Sequence, residues 1–208
     1  MTILFPQEEF NKVKEYLFFY QSALKTMETR MQILHNDFSE MQDYNPIEHI
    51  KCRLKSPESI ADKLHRLGQP ITADAAKNVL MDIAGMRCIC SYTKDISIIV
   101  NVLKAQPDLK IILEKNYITR PKPNGYRSYH IILDVPIYLV DKIEHLPVEI
   151  QIRTQAMDFW ASLEHKVRYK YKGEMPNHLL EALKVCAEEI ARLDDRMYKI
   201  QEIVEIAY

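Results

Sequence analysis

After Phe10, the apolar residues Val13, Leu17, Tyr20, Leu24, Met27, Met31, Leu34 and Phe38 follow one another at steps of three and four. That spacing lays one stripe along a helix of period 3.6. It predicts a long amphipathic helix packed against another element or another subunit. Asn45-Pro46 ends the pattern, because the residue before a proline is pushed out of helical conformation, and the core is expected to begin there. His49 to Lys55 reads as extended. Ser56-Pro57 then opens a helix, with Ser56 as its cap, Pro57 at its first position and Ser59 where a capping box would prefer Glu. Ile60, Lys63, Leu64 and Leu67 carry this helix to Gly68. Downstream the pattern predicts a buried strand over Cys88–Tyr92, a helix through Ile96, Ile99, Val100 and Leu103, and strands near Leu109–Leu113 and Ile131–Val135. A helix carrying Ala156, Phe159, Trp160, Leu163 and Val167 follows, with Phe159 and Trp160 assigned to the core. After the breakers Gly173 and Pro176, Leu179, Leu183, Cys186, Ile190, Leu193, Met197, Ile200, Val204 and Ala207 repeat at four-three spacing. Two such helices at the ends of the chain have stripe to spare, a natural oligomer interface.

The most informative alternation lies over Val148 to Thr154. Val148, Ile150 and Ile152 mark the buried face of a strand, and Glu149, Gln151 and Arg153 mark its other face. An ordinary half-exposed strand more often carries Thr, Lys or Ser there, whereas an acid, an amide and a guanidinium in a row can hold metal, sugar and phosphate together. Other stretches carry chemistry of the same kind. Arg53, Lys55, Ser59 and Lys63 surround a helix start, where unpaired amides favour an anion; a basic solvated turn is the alternative. Asp82 precedes an Ala-Gly step that lets a ligand or backbone approach, a place where an acid is more often a turn or cap residue than a metal ligand. Tyr117 to Tyr126 is a loop rich in Pro, Asn and Gly among Arg120, Lys122 and Arg127, and it leads through Tyr126, Arg127, Ser128, Tyr129 and His130 into a strand. Such a loop can stack a base and grip phosphates, or fold its tyrosines back onto the core.

Composition narrows these readings. A chain of 208 residues fills one domain, expected over 1–208 as a helical extension (1–44), a catalytic core (45–172) and a terminal helix (173–208). Twenty-eight basic against 29 acidic residues give a formal net charge of -1, so the chain as a whole has no pull toward nucleic acid or a membrane surface. Cations nevertheless cluster near Arg53, Arg120 and Arg168, as a polyanionic ligand would require. Cys52, Cys88, Cys90 and Cys186 show no zinc spacing, and Cys88 and Cys90 read as core thiols. The amino terminus lacks the pattern of a secretory leader and no apolar run reaches about 18 residues, so a reduced, cytoplasmic protein without a membrane span is expected.

Taken together, Arg53-Leu54-Lys55-Ser56, Asp82 to Arg87, Asn124 to His130, Val148 to Thr154, and Phe159-Trp160-Ala161 through Glu164-His165 to Tyr169-Lys170 resemble the synthetase domain of the RelA/SpoT family, most closely its small bacterial members. The resemblance implies an α+β fold, a nucleotidyltransferase-like mixed sheet flanked by helices. It implies transfer of diphosphate from ATP to the 3′-hydroxyl of GDP or GTP, releasing AMP and the stringent-response alarmones ppGpp or pppGpp. By position, Asp82 resembles the magnesium ligand, and Glu149 the residue that assists the metal and activates the hydroxyl. Arg53 and Arg87 resemble the pair around adenine, with Lys55, Ser59 and Lys63 on the ATP phosphates. The guanine nucleotide falls to Lys122, Asn124, Tyr126 as its stacking partner, Arg127, His130, Gln151, Arg153, Asp158 and His165. Asp158 stands where close relatives carry Asn; it could accept from guanine or face water. The resemblance also implies a homo-oligomer, with a tetramer among the options, and leaves regulation by RNA open. A His-Asp hydrolase motif and the room for a hydrolase domain are both missing, so synthesis without hydrolysis is expected. Two other readings stay open: a nucleotide- or RNA-binding regulator that has lost its chemistry, and a toxin that transfers diphosphate to another acceptor.

Overall fold

The computed structural model describes residues 4–171, 173 and 175–207. Met1 to Ile3, read above for a leader, and Lys172, the expected end of the core, lie outside these residues, as does the side chain of Tyr169. Helix α1 (Phe10–Met41) follows the expected stripe, with Met27 and Met31 fully enclosed and Leu17, Leu34 and Phe38 packed at its margins. Asn45 closes it: its amide donates to the carbonyl of His35 at 3.2 Å and accepts from the Ile47 amide at 2.9 Å, turning the chain into β1 (Ile47–Leu54). The Ser56 hydroxyl accepts from the Ser59 amide at the start of α2 (Pro57–Arg66), as a cap should. Helix α3 (Ala73–Val79) was not expected. Its seven residues are too few to show a period, and its one signal is Thr72, which caps the Ala75 amide.

Strand β2 (Ala84–Cys90) begins four residues before the expected Cys88, and helix α4 (Thr93–Lys104), β3 (Lys110–Asn116), β4 (Tyr129–Tyr138) and β5 (Ile143–Thr154) follow. The early start of β2 has a tertiary cause. Gly85 and Arg87 are paired on both sides, to Arg53 and Lys51 of β1 and to Glu149 and Gln151 of β5, so the ladder overrides weak local preference. The sheet order is β1-β2-β5-β4-β3, with β2 and β5 parallel and every other pair antiparallel. The sheet is therefore mixed, and the fold is α+β.

Alternation assigns its faces. Ala84, Met86, Cys88, Val148, Ile150 and Ile152 join α1 and α4 in the core, and both cysteines are buried thiols. Each fully buried Leu, Ile or Met contributes about 1.5–3 kcal/mol. The opposite face carries Glu149, Gln151 and Arg153. Helix α5 (Gln155–Lys170) returns over one end of that face. It is capped by Thr154, whose hydroxyl accepts from the Met157 amide and donates to Asp194 of α6 (Asn177–Ala207) at 2.6 Å.

One core assignment fails. Trp160 is buried and its indole N–H donates to the Leu183 carbonyl at 2.9 Å, but Phe159 is 60% exposed. The indole fixes the rotation of α5, and the row Phe159, Leu163 and Val167 turns outward with it. Among the described residues no helix is long and apolar enough to cross a membrane.

Candidate active site

The antiparallel and parallel ladders bring one row of polar residues into register across the sheet: Lys51, Arg87, Gln151, His130 and Lys115 on β1, β2, β5, β4 and β3. One pair further along, Arg53, Gly85, Glu149 and Ile132 form the next row. Gly85 has no side chain to raise between Arg53 and Glu149, so the sheet is open there. A cleft of about 400 Å³ fills this gap, walled by Lys51, Arg53, Lys55, Asp82, Arg87, Glu149 and Gln151. A second pocket of about 160 Å³ lies on the other side of Glu149, walled by Lys115, Tyr117, Lys122, His130 and Ile132. Glu149 is the wall that the two share.

Asp82 stands at the entrance to β2. One of its oxygens, Oδ2, accepts from Lys63 at 2.6 Å and from Lys55 at 3.2 Å, while Oδ1 is buried without a protein partner. Burial pushes its carboxyl pKa up, but the hydrogen bond from Lys63 and the charges of Lys55 and Lys63 outweigh this, so the carboxyl lies below its usual value. Glu149 is treated the same way. Burial raises its pKa, the hydrogen bonds from His130 and Gln151 bring it below the usual value, and the nearby Asp82 carboxylate opposes them. Both acids are thus ionised at neutral pH. Among the described residues no three His, Cys, Asp or Glu side chains gather into a metal site. Two carboxylates, one with a buried oxygen left over, instead suit a hard cation that takes its remaining ligands from phosphate and water, which is how magnesium is commonly held.

The remaining expected residues fall into three groups. Lys122 joins the smaller pocket, its ammonium 4.7 Å from the ring centre of Tyr117 and 4.8 Å from that of Tyr126; burial lowers its pKa. Tyr126, Arg153 and Asp158 stand behind Glu149. The Tyr126 hydroxyl meets His130 Nε2 at 2.8 Å and Arg153 at 3.0 Å, and Arg153, 1% exposed, also meets Asp158 at 3.3 Å. Asp158 neither faces water nor stands free, for Arg87 approaches the same oxygen at 3.8 Å.

The last group lies outside both walls. Asn124 holds the loop turn, accepting from the Tyr126 amide and donating to Glu164 at 3.1 Å; Arg127 reaches back to the Ile118 carbonyl at 2.9 Å. Ser59 is engaged at the start of α2, and His165 is exposed on α5. Sequence reasoning passed over Lys51 and gave Tyr117 no role. Lys51 was accessible to it, because it sits two residues from Arg53 and so on the same face of β1. Tyr117 enters the site only through the loop's path.

Residues 52–174 match the model of a region found in RelA/SpoT proteins. GTP pyrophosphokinase YwaC of Bacillus subtilis is 47% identical over 92% of this chain and 91% of its own. The crystal structure of small alarmone synthetase 2 from Bacillus subtilis aligns with a TM-score of 0.83 at 46% identity, covering 91% of this chain and 97% of that one. Small alarmone synthetase 1 of the same organism, bound to its product pppGpp, aligns with a TM-score of 0.85 at 34% identity over 92% and 97%.

Proposed function

Because the chain belongs to the RelA/SpoT family, we propose that it is a GTP pyrophosphokinase that makes ppGpp and pppGpp by transferring diphosphate from ATP to the 3′-hydroxyl of GDP or GTP. The observation that carries this reading is the position of Glu149 between two pockets, one large and basic, the other smaller and lined by Tyr117, Lys122 and His130. A reaction between two nucleotides needs two sites that share a base, and Glu149 is that shared residue.

ATP occupies the larger cleft in this reading. Arg53 and Arg87, diagonal neighbours on adjacent strands, take the two faces of adenine, and Lys55 and Lys63 meet the phosphates with Ser59 near the same helix start. The guanine nucleotide occupies the smaller pocket, with Tyr126 and Tyr117 near the base and Lys122 and His130 near its phosphates. Glu149 accepts the proton of the 3′-hydroxyl as that oxygen bonds to the β-phosphorus of ATP. The bond from the bridging oxygen to that phosphorus breaks, and AMP leaves with the oxygen. A positioned carboxylate base typically contributes about 10²- to 10⁴-fold. Asp82 and Glu149 would hold magnesium, which when bound offsets the negative charge gathering on the transferred phosphates. The protein is read as cytoplasmic.

Incubation with ATP, magnesium and either GDP or GTP, followed by chromatography, should yield AMP and a 3′-diphosphorylated guanosine in equal amounts. No product with either acceptor would sink the reading, and product only with tRNA or adenine nucleotide would favour the toxin. We further propose a homo-oligomer, supported by the exposed row Leu193, Met197, Ile200 and Val204, each at least half exposed at the spacing of a helix-pairing seam. A solution mass equal to one chain across micromolar concentrations would remove that proposal.

A further inference from the structure

The buried guanidinium of Arg153 stands behind the catalytic carboxylate without reaching either pocket. Its Nη2 nitrogen carries two N–H bonds, and each enters a separate chain of side chains. One goes to the Tyr126 hydroxyl at 3.0 Å, from there to His130 Nε2 at 2.8 Å, and from His130 Nδ1 to Glu149 Oε1 at 3.0 Å. The other goes to Gln151 Oε1, and Gln151 Nε2 reaches Glu149 Oε2 at 2.8 Å. The ring of contacts closes on itself.

Donor and acceptor chemistry fixes its direction. A guanidinium can only donate and an ionised carboxylate can only accept, so the bonds at the two ends of each arm run away from Arg153 and toward Glu149. Tyr126 accepts from Arg153 and has its own proton to give to His130 Nε2, an arrangement in which the imidazole carries its proton on Nδ1 and donates it to Glu149. Gln151 accepts on its oxygen and donates through its nitrogen. Nη1 is held by Asp158 at 3.3 Å, which sets the rotation of the guanidinium plane.

We propose that Arg153 is a positioning residue for Glu149, acting through a Tyr126–His130 arm and a Gln151 arm that fix one carboxylate oxygen each, and that it does not bind the acceptor nucleotide. The proposal rests on Glu149 being the base in the reaction above. It gives Tyr126 a second task besides its ring: its hydroxyl joins Arg153 to His130. Both carboxylate oxygens are thereby held from behind while their free lone pairs face the pockets. A base kept in one orientation abstracts a proton from a bound hydroxyl without first reorganising.

Two measurements test this. The first is steady-state kinetics of Tyr126→Phe, which keeps the ring and removes the hydroxyl, and of Gln151→Met, which cuts the other arm. Each should lower kcat by about 10- to 100-fold, the usual effect of losing a group that orients a functional ligand, with KM for GDP and for ATP changed less than about threefold. Arg153→Met should lower kcat at least as far; should it fail to fold, the two arm variants still decide. A wild-type kcat in Tyr126→Phe overturns the proposal. So does an Arg153→Met enzyme that keeps its kcat and loses tenfold in KM for GDP, because that residue would be binding the acceptor.

The second measurement is independent of turnover. In ¹⁵N-histidine spectra, with His130→Asn used for assignment, His130 should appear as the Nδ1–H tautomer and lose that preference in Tyr126→Phe. An Nε2–H ring, or a signal that does not move, overturns the relay. If the wild-type protein releases no AMP, the proposed reaction falls, while the His130 signal still decides the relay.

Discussion

The two sides of Glu149 are built on opposite principles. On the side of β1, β2 and α2, Lys51 and Arg53 are exposed, Arg87 has only a 3.8 Å approach to Asp158, and the cleft is about 400 Å³. On the side of β4, β5 and the loop at 117–128, Tyr126, His130, Gln151 and Arg153 spend polar atoms on one another and on Glu149 and Asp158, and Asn124 and Arg127 on Glu164 and backbone, beside a pocket of about 160 Å³. The first side pairs Lys55 and Lys63 with Asp82 but leaves Lys51 and Arg53 exposed, as the proposed triphosphate site requires. The second spends its polarity on fixing positions. A diphosphate transfer needs both, because the donor must have its charge offset and the acceptor hydroxyl must be aimed.

The largest effects should come from the carboxylates between the sides. Glu149→Gln keeps the size and the His130 and Gln151 neighbours but cannot take a proton, so kcat should fall by at least about 10²-fold with the fold intact. Asp82→Asn leaves Lys55 and Lys63 without their counter-charge and should fall by a similar factor, with a raised magnesium requirement. The two differ in one readout. Raising magnesium should recover part of the Asp82→Asn rate and none of the Glu149→Gln rate. If magnesium rescues both equally, Glu149 is a metal ligand before it is a base.

A smaller effect tests the rigidity of the acceptor side. Gly125 has φ of 86°, a conformation that side chains rarely adopt, and a Cβ there would lie 2.5 Å from the Ala187 side chain on α6. Strain of this kind amounts to about 1–3 kcal/mol. Gly125→Ala should therefore displace the loop and raise KM for GDP about tenfold or more, with KM for ATP unchanged. Adding Ala187→Gly relieves the clash but not the φ, and should restore part of the loss. Equal changes in both KM values would show that the sides are not independent.

How far this contrast could be read from the chain depends on the side. Arg53, Lys55 and Asp82 stand out as candidates by local rules, a cap at Ser56, a basic helix start and an acid before a strand, and the same rules fit a solvated turn. Glu149 is legible from strict alternation in β5. The acceptor side is different. Nothing local tells that Arg153, on the polar face of a strand, is buried, because burial comes from α5 and from Asp158 on it. The same long-range packing turned Phe159 outward and began β2 at Ala84. The resemblance to RelA/SpoT proteins assigned Tyr126 and His130 to one nucleotide, but the bond between them belongs to the fold. The α6 contact with Gly125 joins residues about sixty positions apart, and neither stretch carries a mark of the other.

That same helix supplies the smallest and most specific prediction. Asp194 of α6 is 6% exposed and accepts from Thr154, the residue that ends β5 and caps α5. Burial pushes its carboxyl pKa above the usual value; the Thr154 hydrogen bond opposes this and the neighbouring Asp195 adds to it. A folded-state pKa raised above the unfolded one means the folded protein holds the proton more tightly. The stability it contributes is complete below the ordinary carboxylate value, about 3.8 to 3.9, and is lost as pH rises through the higher folded value. Once pH has risen past that value, the folded protein holds a buried carboxylate with a hydroxyl donor from Thr154. Asp194→Asn keeps an acceptor for Thr154 without the charge. Its Tm should exceed that of the wild type at pH 7 by about 2–4 °C, the shift that roughly 1 kcal/mol produces in a chain of this size, and the advantage should shrink as pH falls toward 4. An advantage that is equal at both pH values would mean that the charge of Asp194 is not what strains this junction. Because Thr154 ends the strand that carries Glu149 and keeps its acceptor in this variant, kcat should stay within about twofold in Asp194→Asn. A larger drop would extend the rigid side of the site from the loop through to α6.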